Sequence, residues 1–360
     1  MKLIHVVGAR PNFMKVAPVL HALGHYDAVR QIIVHTGQHY DVNMSDIFFQ
    51  QLGIPAPDVN LEIGSASHAQ QTAQIMARFE PVVLEQKPDM VLVYGDVNST
   101  VAATLVCAKL LIPVAHVEAG LRSGDRTMPE EINRLVTDQL ADLLFTPSVD
   151  GDQNLLREGI AAEKIHCVGN VMIDTLVRLQ PQAEALWPAL QTRFELHSSY
   201  GLITLHRPSN VDEPSMLGTI LATLNDVAKD LPLLFPIHPR TRQRIHHHGL
   251  DKLAQRIQFC DPLGYLDFLA LQAHASVVLT DSGGVQEETT YLQVPCITLR
   301  ENTERPVTVD VGSNILVGRD MERLLEEVAR ILQGEAKLGA IPPLWDGRTG
   351  ERIASILHAL

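Results

Sequence analysis

Paired cysteines are the first absence. The 360 residues include four cysteines, Cys107, Cys167, Cys260 and Cys296, and no C-x-x-C pair. Each lies in or beside an apolar run, so they read as reduced, mostly buried thiols and not as a disulfide framework or a zinc site. An excess of positive charge is missing too, since 29 Lys and Arg against 42 Asp and Glu leave a formal net charge of −13. A nucleic-acid footprint needs a concentrated basic surface, which excludes that partner class, although local cations can still hold a small anion. No apolar run approaches the roughly 20 residues of a membrane span. The N-terminal MKLIHVVGARP is apolar only briefly before Arg10 and Lys15, so it reads as a first β-strand and not as a leader, and the chain is expected to be cytoplasmic. A metal motif is also lacking. Three consecutive histidines, His246 to His248, cannot share one helix face, and no carboxylate or cysteine stands near them at ligand spacing. They read as a solvated segment, and no metal is expected.

What is present is a globular composition, 46% hydrophobic and 20% charged, in a chain long enough for two cores. Apolar runs at 2–7, 30–35, 90–94, 113–117 and 143–146 alternate with amphipathic stretches at 12–24, 43–51, 68–86, 99–110, 130–141 and 150–157. Strand, helix and strand in succession imply right-handed βαβ units and parallel sheets. The pattern restarts with strands at 165–168, 201–205, 233–237, 256–259, 276–280 and 295–299, and with helices at 214–229 and 284–293. Gly169-Asn170 and a polar, proline-containing stretch near 181–198 read as the separators. The expectation is an α/β chain of two Rossmann-like domains, 1–170 and 171–345, with a cleft between them and a final helix within 346–360. In such sheets ligands bind beyond the carboxyl ends of the strands, so the residues just after each strand matter most.

The richest strand end is VVLTDSGGVQEE, 277–288. A buried run stops at Asp281, and Ser282, Gly283 and Gly284 offer bare N–H groups at a helix start, a cradle for a phosphate. Glu287 and Glu288 follow within reach of a ribose diol. An ordinary strand-to-helix turn would read the same, and taken alone both readings stand. The first strand delivers Gly8 and Arg10, with Lys15 one turn further on, as cations for phosphate or carboxylate. The second delivers the polar cluster Thr36 to Tyr40. Later ends deliver Asp96 and Glu118, and MPEEINR adds Glu130, Glu131 and Arg134. Glu118 closes the apolar run PVAHV, where a carboxylate needs a partner, and Arg122, Arg126 and Arg134 are at hand. Glu130 and Glu131 also suit a plain helix opening. Asp96, Glu118 and Glu130 together at one rim make an acid/base constellation. In the second half, His206 after strand 201–205 suits a phosphate partner or proton carrier, with His238 in a similar secondary part. Leu263, Gly264, Tyr265 and Phe268 suit a base, and Arg300 and Arg305 extend the cationic reach.

In this order GARPNFMK, TGQH, GDVNST, HVEAGLRSGD, PEEINR, TLHRPSN, LTDSGGVQEE and NTERPV resemble the motifs of the non-hydrolysing UDP-N-acetylglucosamine 2-epimerases, nearly end to end. The resemblance implies the two-domain glycosyltransferase-B fold, with the C-terminal helix packing back on the first domain and, commonly, a homodimer. It implies acid/base roles for Asp96, Glu118 and Glu130, a cleft role for His206, and phosphate-side roles for Arg10 and Lys15. It places Ser282, Gly283 and Gly284 at the diphosphate cradle, Glu288 at the ribose and Arg305 at the nucleotide site, and the strand-end residues Arg134, Leu263, Tyr265 and Phe268 are expected on the substrate side with them. The implied reaction eliminates UDP to a 2-acetamidoglucal and adds it back with protonation on the opposite face of C2, using no metal and no nicotinamide. Many relatives carry a second, allosteric UDP-N-acetylglucosamine site built on TAQHR-like and RQT segments. Here the counterparts are TGQHY (36–40) and AQQTA (69–73), which keep Gln38 and His39 but lack the arginine. UDP-2,3-diacetamido-2,3-dideoxy uronic acids are an alternative substrate class. A glycosyltransferase would not need the three carboxylates, a hydrolysing epimerase often brings a kinase domain, and a sugar-nucleotide sensor would lose the carboxylates.

Overall fold

A computed structural model describes residues 1–37, 51–196 and 199–360, with Arg10 described by its backbone only. Gln38 and His39 lie outside the described residues. The chain divides into two compact units, Met1–Thr175 with Pro343–Leu360, and Leu176–Pro342.

In the first unit the strands are β1 (Lys2–Val7), β2 (Arg30–His35), β3 (Val59–Asn60), β4 (Met90–Tyr94), β5 (Val114–Val117), β6 (Leu143–Thr146) and β7 (Ile165–Cys167). They form one parallel sheet in the order β3-β2-β1-β4-β5-β6-β7, with Val6 registered between Val34 and Val93. Its helices include α1 (Arg10–Leu23), α2 (His68–Gln86), α3 (Asn98–Leu110), α4 (Pro129–Leu140) and α5 (Val149–Arg157). Strands covered on both faces read as unbroken apolar runs, and MVLVY in β4 is buried at every residue. Ile4, Val6, Ile32, Val34, Val91 and Val93 meet Phe79 and Val83 of α2 and Ala102 and Val106 of α3 in the core.

The restart expected at 165–168 is not one. β7 pairs with β6 and closes the edge of the first sheet. Nor do Pro181 and Pro188 break the chain, because both lie inside α6 (Val171–Arg193), within which the boundary of the two units falls. The final helix, Thr349–His358, lies against α1. The Tyr26 and His358 rings meet at 4.4 Å, tilted by 38°, and a Cβ on Gly350 would come within 2.5 Å of the Pro18 carbonyl.

The second unit holds β8 (Gly201–Thr204), β9 (Leu233–Pro236), β10 (Ile257–Cys260), β11 (Val277–Thr280), β12 (Cys296–Thr298) and β13 (Asn314–Leu316). These are again parallel, in the order β10-β9-β8-β11-β12-β13, with Thr204 opposite Thr280. The helices that matter here are α7 (Pro208–Val211), α8 (Pro214–Val227), α9 (Pro239–His247), α10 (Tyr265–Ala273) and α11 (Gly283–Leu292). Each sheet reverses its winding once, at β1/β4 in the first unit and β8/β11 in the second. Neighbouring connections leave such a point in opposite directions and open a crevice there. Both sheets therefore place their most polar turns where the topology makes room.

Candidate active site

At the switch point of the first unit, Asn12 of α1 ties two strand exits together. Its Oδ1 accepts from the N–H groups of Gly8 (3.1 Å) and Ala9 (2.9 Å), and its Nδ2 donates to the Tyr94 carbonyl at 2.8 Å. β4 then turns at Gly95, whose φ is +63°. A Cβ on Gly95 would come within 2.5 Å of Lys15 Nζ and 3.0 Å of a Glu118 oxygen, so the missing side chain lets that pair cross the turn. Lys15 and Glu118 form a buried ion pair, their side chains only 7% and 3% exposed. Glu118 itself sits at φ +73°, a conformation costing a non-glycine residue about 1–2 kcal/mol. Strain of this kind collects at functional sites, where the surroundings hold it in place.

Asp96, next to Gly95, pairs with Arg134, which is almost fully buried. The other side of that guanidinium meets Glu131 at 2.7 Å, and Asn133 Nδ2 donates to the Asp96 carbonyl at 2.9 Å. Burial alone would raise the Glu131 pKa, but the Ser123 N–H, Arg134 and the Gly124 N–H hold it below the ordinary carboxylate range.

These pairings differ from the expected ones. Arg122, Arg126 and Arg134 were the expected partners of Glu118, yet Lys15 takes that place. Arg134 serves Asp96 and Glu131, and Arg122 serves Asp138 and Glu158, each at 2.7 Å. Arg126 is exposed and forms no ion pair among the described residues. The physical reason is that β4 lies between β1 and β5, and its exit carries no side chain at Gly95 to keep Lys15 away. Lys15, expected on the phosphate side, thus has its charge matched inside the protein. Glu130 is half-buried and its side chain forms no hydrogen bond or ion pair among the described residues, while Glu131 carries the link to Asp96. Arg10 opens α1.

At the switch point of the second unit, Asp281 is the organiser that sequence reasoning did not assign. It is fully buried, and its carboxylate accepts from the backbone N–H of His206 (3.1 Å) and Arg207 (2.9 Å), and from Asn210 Nδ2 (3.0 Å). It also meets His206 Nδ1 at 3.0 Å, and the His206 ring is 56% exposed. Burial would raise the Asp281 pKa, but the bonds from His206, Arg207 and Asn210 carry it below the ordinary range. One signal could have found it, a carboxylate abutting an apolar strand, as at Glu118. We expect Asp281→Asn to lower the unfolding free energy of the second unit by on the order of 2–4 kcal/mol, measured by urea denaturation, because an amide turns a donor toward groups that themselves donate.

Asp281 runs directly into Ser282, which is followed by the first turn of α11. Ser282 makes no side-chain cap bond, which leaves the first-turn N–H groups available to a ligand. A Cβ on Gly283 would meet Arg305 Nη1 at 2.5 Å and a Glu304 oxygen at 2.7 Å. Arg305, expected as a nucleotide contact, is buried behind this turn, ion-paired with Glu287 at 2.8 Å and with Glu304 at 2.5 Å. Burial works against the charge of Glu304, yet Arg305 and Arg300 hold its pKa far below the ordinary range. Glu287, expected beside the ribose, is therefore committed to Arg305.

Glu288 is different. It is buried, accepts from the Tyr265 hydroxyl at 3.0 Å, and burial pushes its pKa up to about 7. Tyr265 opens α10, Leu263 lies two residues before it, and both, like Phe268, are half-buried. His238 is the exposed N-cap of α9 and accepts from the Arg240 N–H at 3.2 Å. Among the described residues no group of three or more His, Cys, Asp or Glu could hold a metal ion, and no helix is long and apolar enough to cross a membrane.

Comparison with known proteins agrees with these motifs. The UDP-N-acetylglucosamine 2-epimerase of Methanocaldococcus jannaschii is 46% identical over 99% of both chains. The UDP-2,3-diacetamido-2,3-dideoxy-D-glucuronate 2-epimerase of Pseudomonas aeruginosa is 42% identical over 100% of both. The crystal structure of the M. jannaschii enzyme in complex with UDP-GlcNAc and UDP superposes with a TM-score of 0.90, at 45% identity and covering 100% of each chain. The fold is the glycosyltransferase-B-like two-domain fold of such enzymes. The profile of the UDP-N-acetylglucosamine 2-epimerase family matches residues 21–358, and the chain belongs to that family.

Proposed function

We propose that the chain interconverts the C2 epimers of a UDP-2-acetamido sugar, with UDP-N-acetylglucosamine and UDP-N-acetylmannosamine as the pair. The observation that carries this reading is the placement of Asp96 and Glu118 around Gly95, each ion-paired to its own buried cation. A base takes the C2 proton as the C1–O bond breaks and its electron pair leaves with UDP, giving the 2-acetamidoglucal. A UDP oxygen then adds back to C1 while an acid delivers a proton to the other face of C2. Two separately held carboxylates suit one base and one acid. In the second unit, the first turn of α11 holds the diphosphate and Glu288 the ribose. His206 is fixed through Nδ1 by Asp281, and its Nε2 serves the departing diphosphate. A homodimer in the cytoplasm is proposed with it, on the family resemblance alone.

Proton NMR of UDP-N-acetylglucosamine with the pure protein in D₂O tests the reading. The expected result is UDP-N-acetylmannosamine carrying deuterium at C2, without added metal or nicotinamide. The second reading, epimerisation of a UDP-2,3-diacetamido-2,3-dideoxy uronic acid, is favoured by the 42% identity to the P. aeruginosa enzyme. Turnover of that sugar alone would replace the first reading, and turnover of neither, with UDP bound, would remove both.

A further inference from the structure

The exits of β4 and β5 share one buried device that the reaction scheme above does not use. His116 in β5 and Asp138 in α4 are both fully buried. His116 Nδ1 lies 2.6 Å from one Asp138 oxygen, and His116 Nε2 lies 2.8 Å from the carbonyl oxygen of Gly95. The second Asp138 oxygen accepts from the Gly120 N–H at 3.1 Å and from Arg122 at 2.7 Å. Gly95 immediately precedes Asp96, and Gly120 comes two residues after Glu118. Both turns are held in left-handed backbone, Gly95 at φ +63°, Glu118 at +73° and Gly120 at +80°.

A carbonyl oxygen only accepts, so His116 Nε2 must carry a proton. Asp138 has two donors on its second oxygen, the Gly120 N–H and the Arg122 guanidinium, and it meets both as a carboxylate. His116 Nδ1 must then carry a proton as well. We propose that His116 is a positioning residue, a doubly protonated imidazolium that, with Asp138, clamps the Asp96 and Glu118 turns in their reactive geometry. Arg122 and its partner Glu158 complete the charge balance, giving two cations and two carboxylates in one chain of contacts. A buried charge left alone is costly, so retaining all four groups makes sense where backbone geometry has to be specified. A neutral imidazole would face either the carbonyl or the carboxylate with a lone pair and let one turn relax.

The proposal rests on the acid/base reading of Asp96 and Glu118, and two measurements separate the two ideas. The first is NMR of the ¹⁵N-histidine-labelled full chain. Two ring N–H signals, both lost in His116→Asn, are expected, and a single one overturns the imidazolium. The second is kinetics of Asp138→Asn, which leaves size unchanged but removes the charge that keeps Nδ1 protonated. Its kcat is expected to fall about 30- to 1,000-fold, with KM and the UDP Kd within about threefold of the parent, as for a small misplacement of reacting groups. Unchanged kcat, or a loss seen only as raised KM, overturns the positioning role. If Asp138→Asn does not fold, the ring N–H count on the parent protein still decides. If the parent turns over neither candidate sugar, the functional reading falls, while the N–H count continues to test the clamp.

Discussion

Glu118→Gln is expected to lower kcat by about 10²–10⁴-fold while leaving the Kd for UDP within a few fold. Loss of a positioned acid or base has an effect of this size, and UDP is assigned to groups of the second unit. The change also strands Lys15, which is buried, without its carboxylate. Removing one partner of a buried pair costs about 3–5 kcal/mol, so lower stability alone could mimic a catalytic loss. Asp96→Asn resolves the ambiguity. Asp96 is 26% exposed, and its partner Arg134 keeps Glu131, so the structural cost is expected to be much smaller for a similar loss of kcat. Steady-state kinetics, calorimetric UDP binding and a melting curve on both variants are the required measurements. Retention of more than a tenth of kcat in either folded variant would remove that carboxylate from the chemistry.

Glu288→Gln is expected to have opposite effects on stability and on nucleotide binding. The folded-state pKa of Glu288 is raised from 4.5 to about 7 by burial. Below pH 4.5 the carboxyl is protonated in both states and makes no difference. Between about 4.5 and 7 the unfolded chain loses its proton first, so this residue's contribution becomes progressively destabilising as pH rises. Above 7 the full penalty, on the order of 3 kcal/mol, is present. Glutamine has no charge to bury, and its carbonyl can still accept from Tyr265. At pH 8 the variant should therefore melt higher by about 2–8 °C, and near pH 4.5 the advantage should vanish. UDP affinity at pH 8 should fall by roughly 10- to 100-fold, because hydrogen bonds from a ribose diol are stronger to a carboxylate than to an amide. A lower Tm at pH 8 would mean that Glu288 is not held against its charge. Unchanged UDP affinity would remove its ribose role.

Much of this was legible in the chain itself. Local sequence decides backbone hydrogen bonding, and an unbroken apolar run such as MVLVY or an amphipathic stretch such as 68–86 has few other ways to satisfy it. The order of strand ends, and so the polar turns at Gly95-Asp96, Glu118, His206 and Ser282, followed from the same pattern. The separators were harder to read. Pro181 and Pro188 look like breakers, but Leu176, Leu179, Ala183 and Leu190 are buried along one stripe of α6, and that burial outweighs the lost helix bonds. Two- and three-residue edge strands such as β3 and β13 carry too little pattern to be seen. The charge pairing lay wholly beyond the sequence. Chain proximity offered Glu118 three arginines, and the fold gave it Lys15 from α1. Asp281 and His116 likewise gain their significance only from carbonyls, amides and rings supplied by other strands. A buried charge must find its partner wherever three-dimensional packing brings one within about 3 Å. The one-dimensional order states which charges exist, and only the packed sheets determine which of them meet.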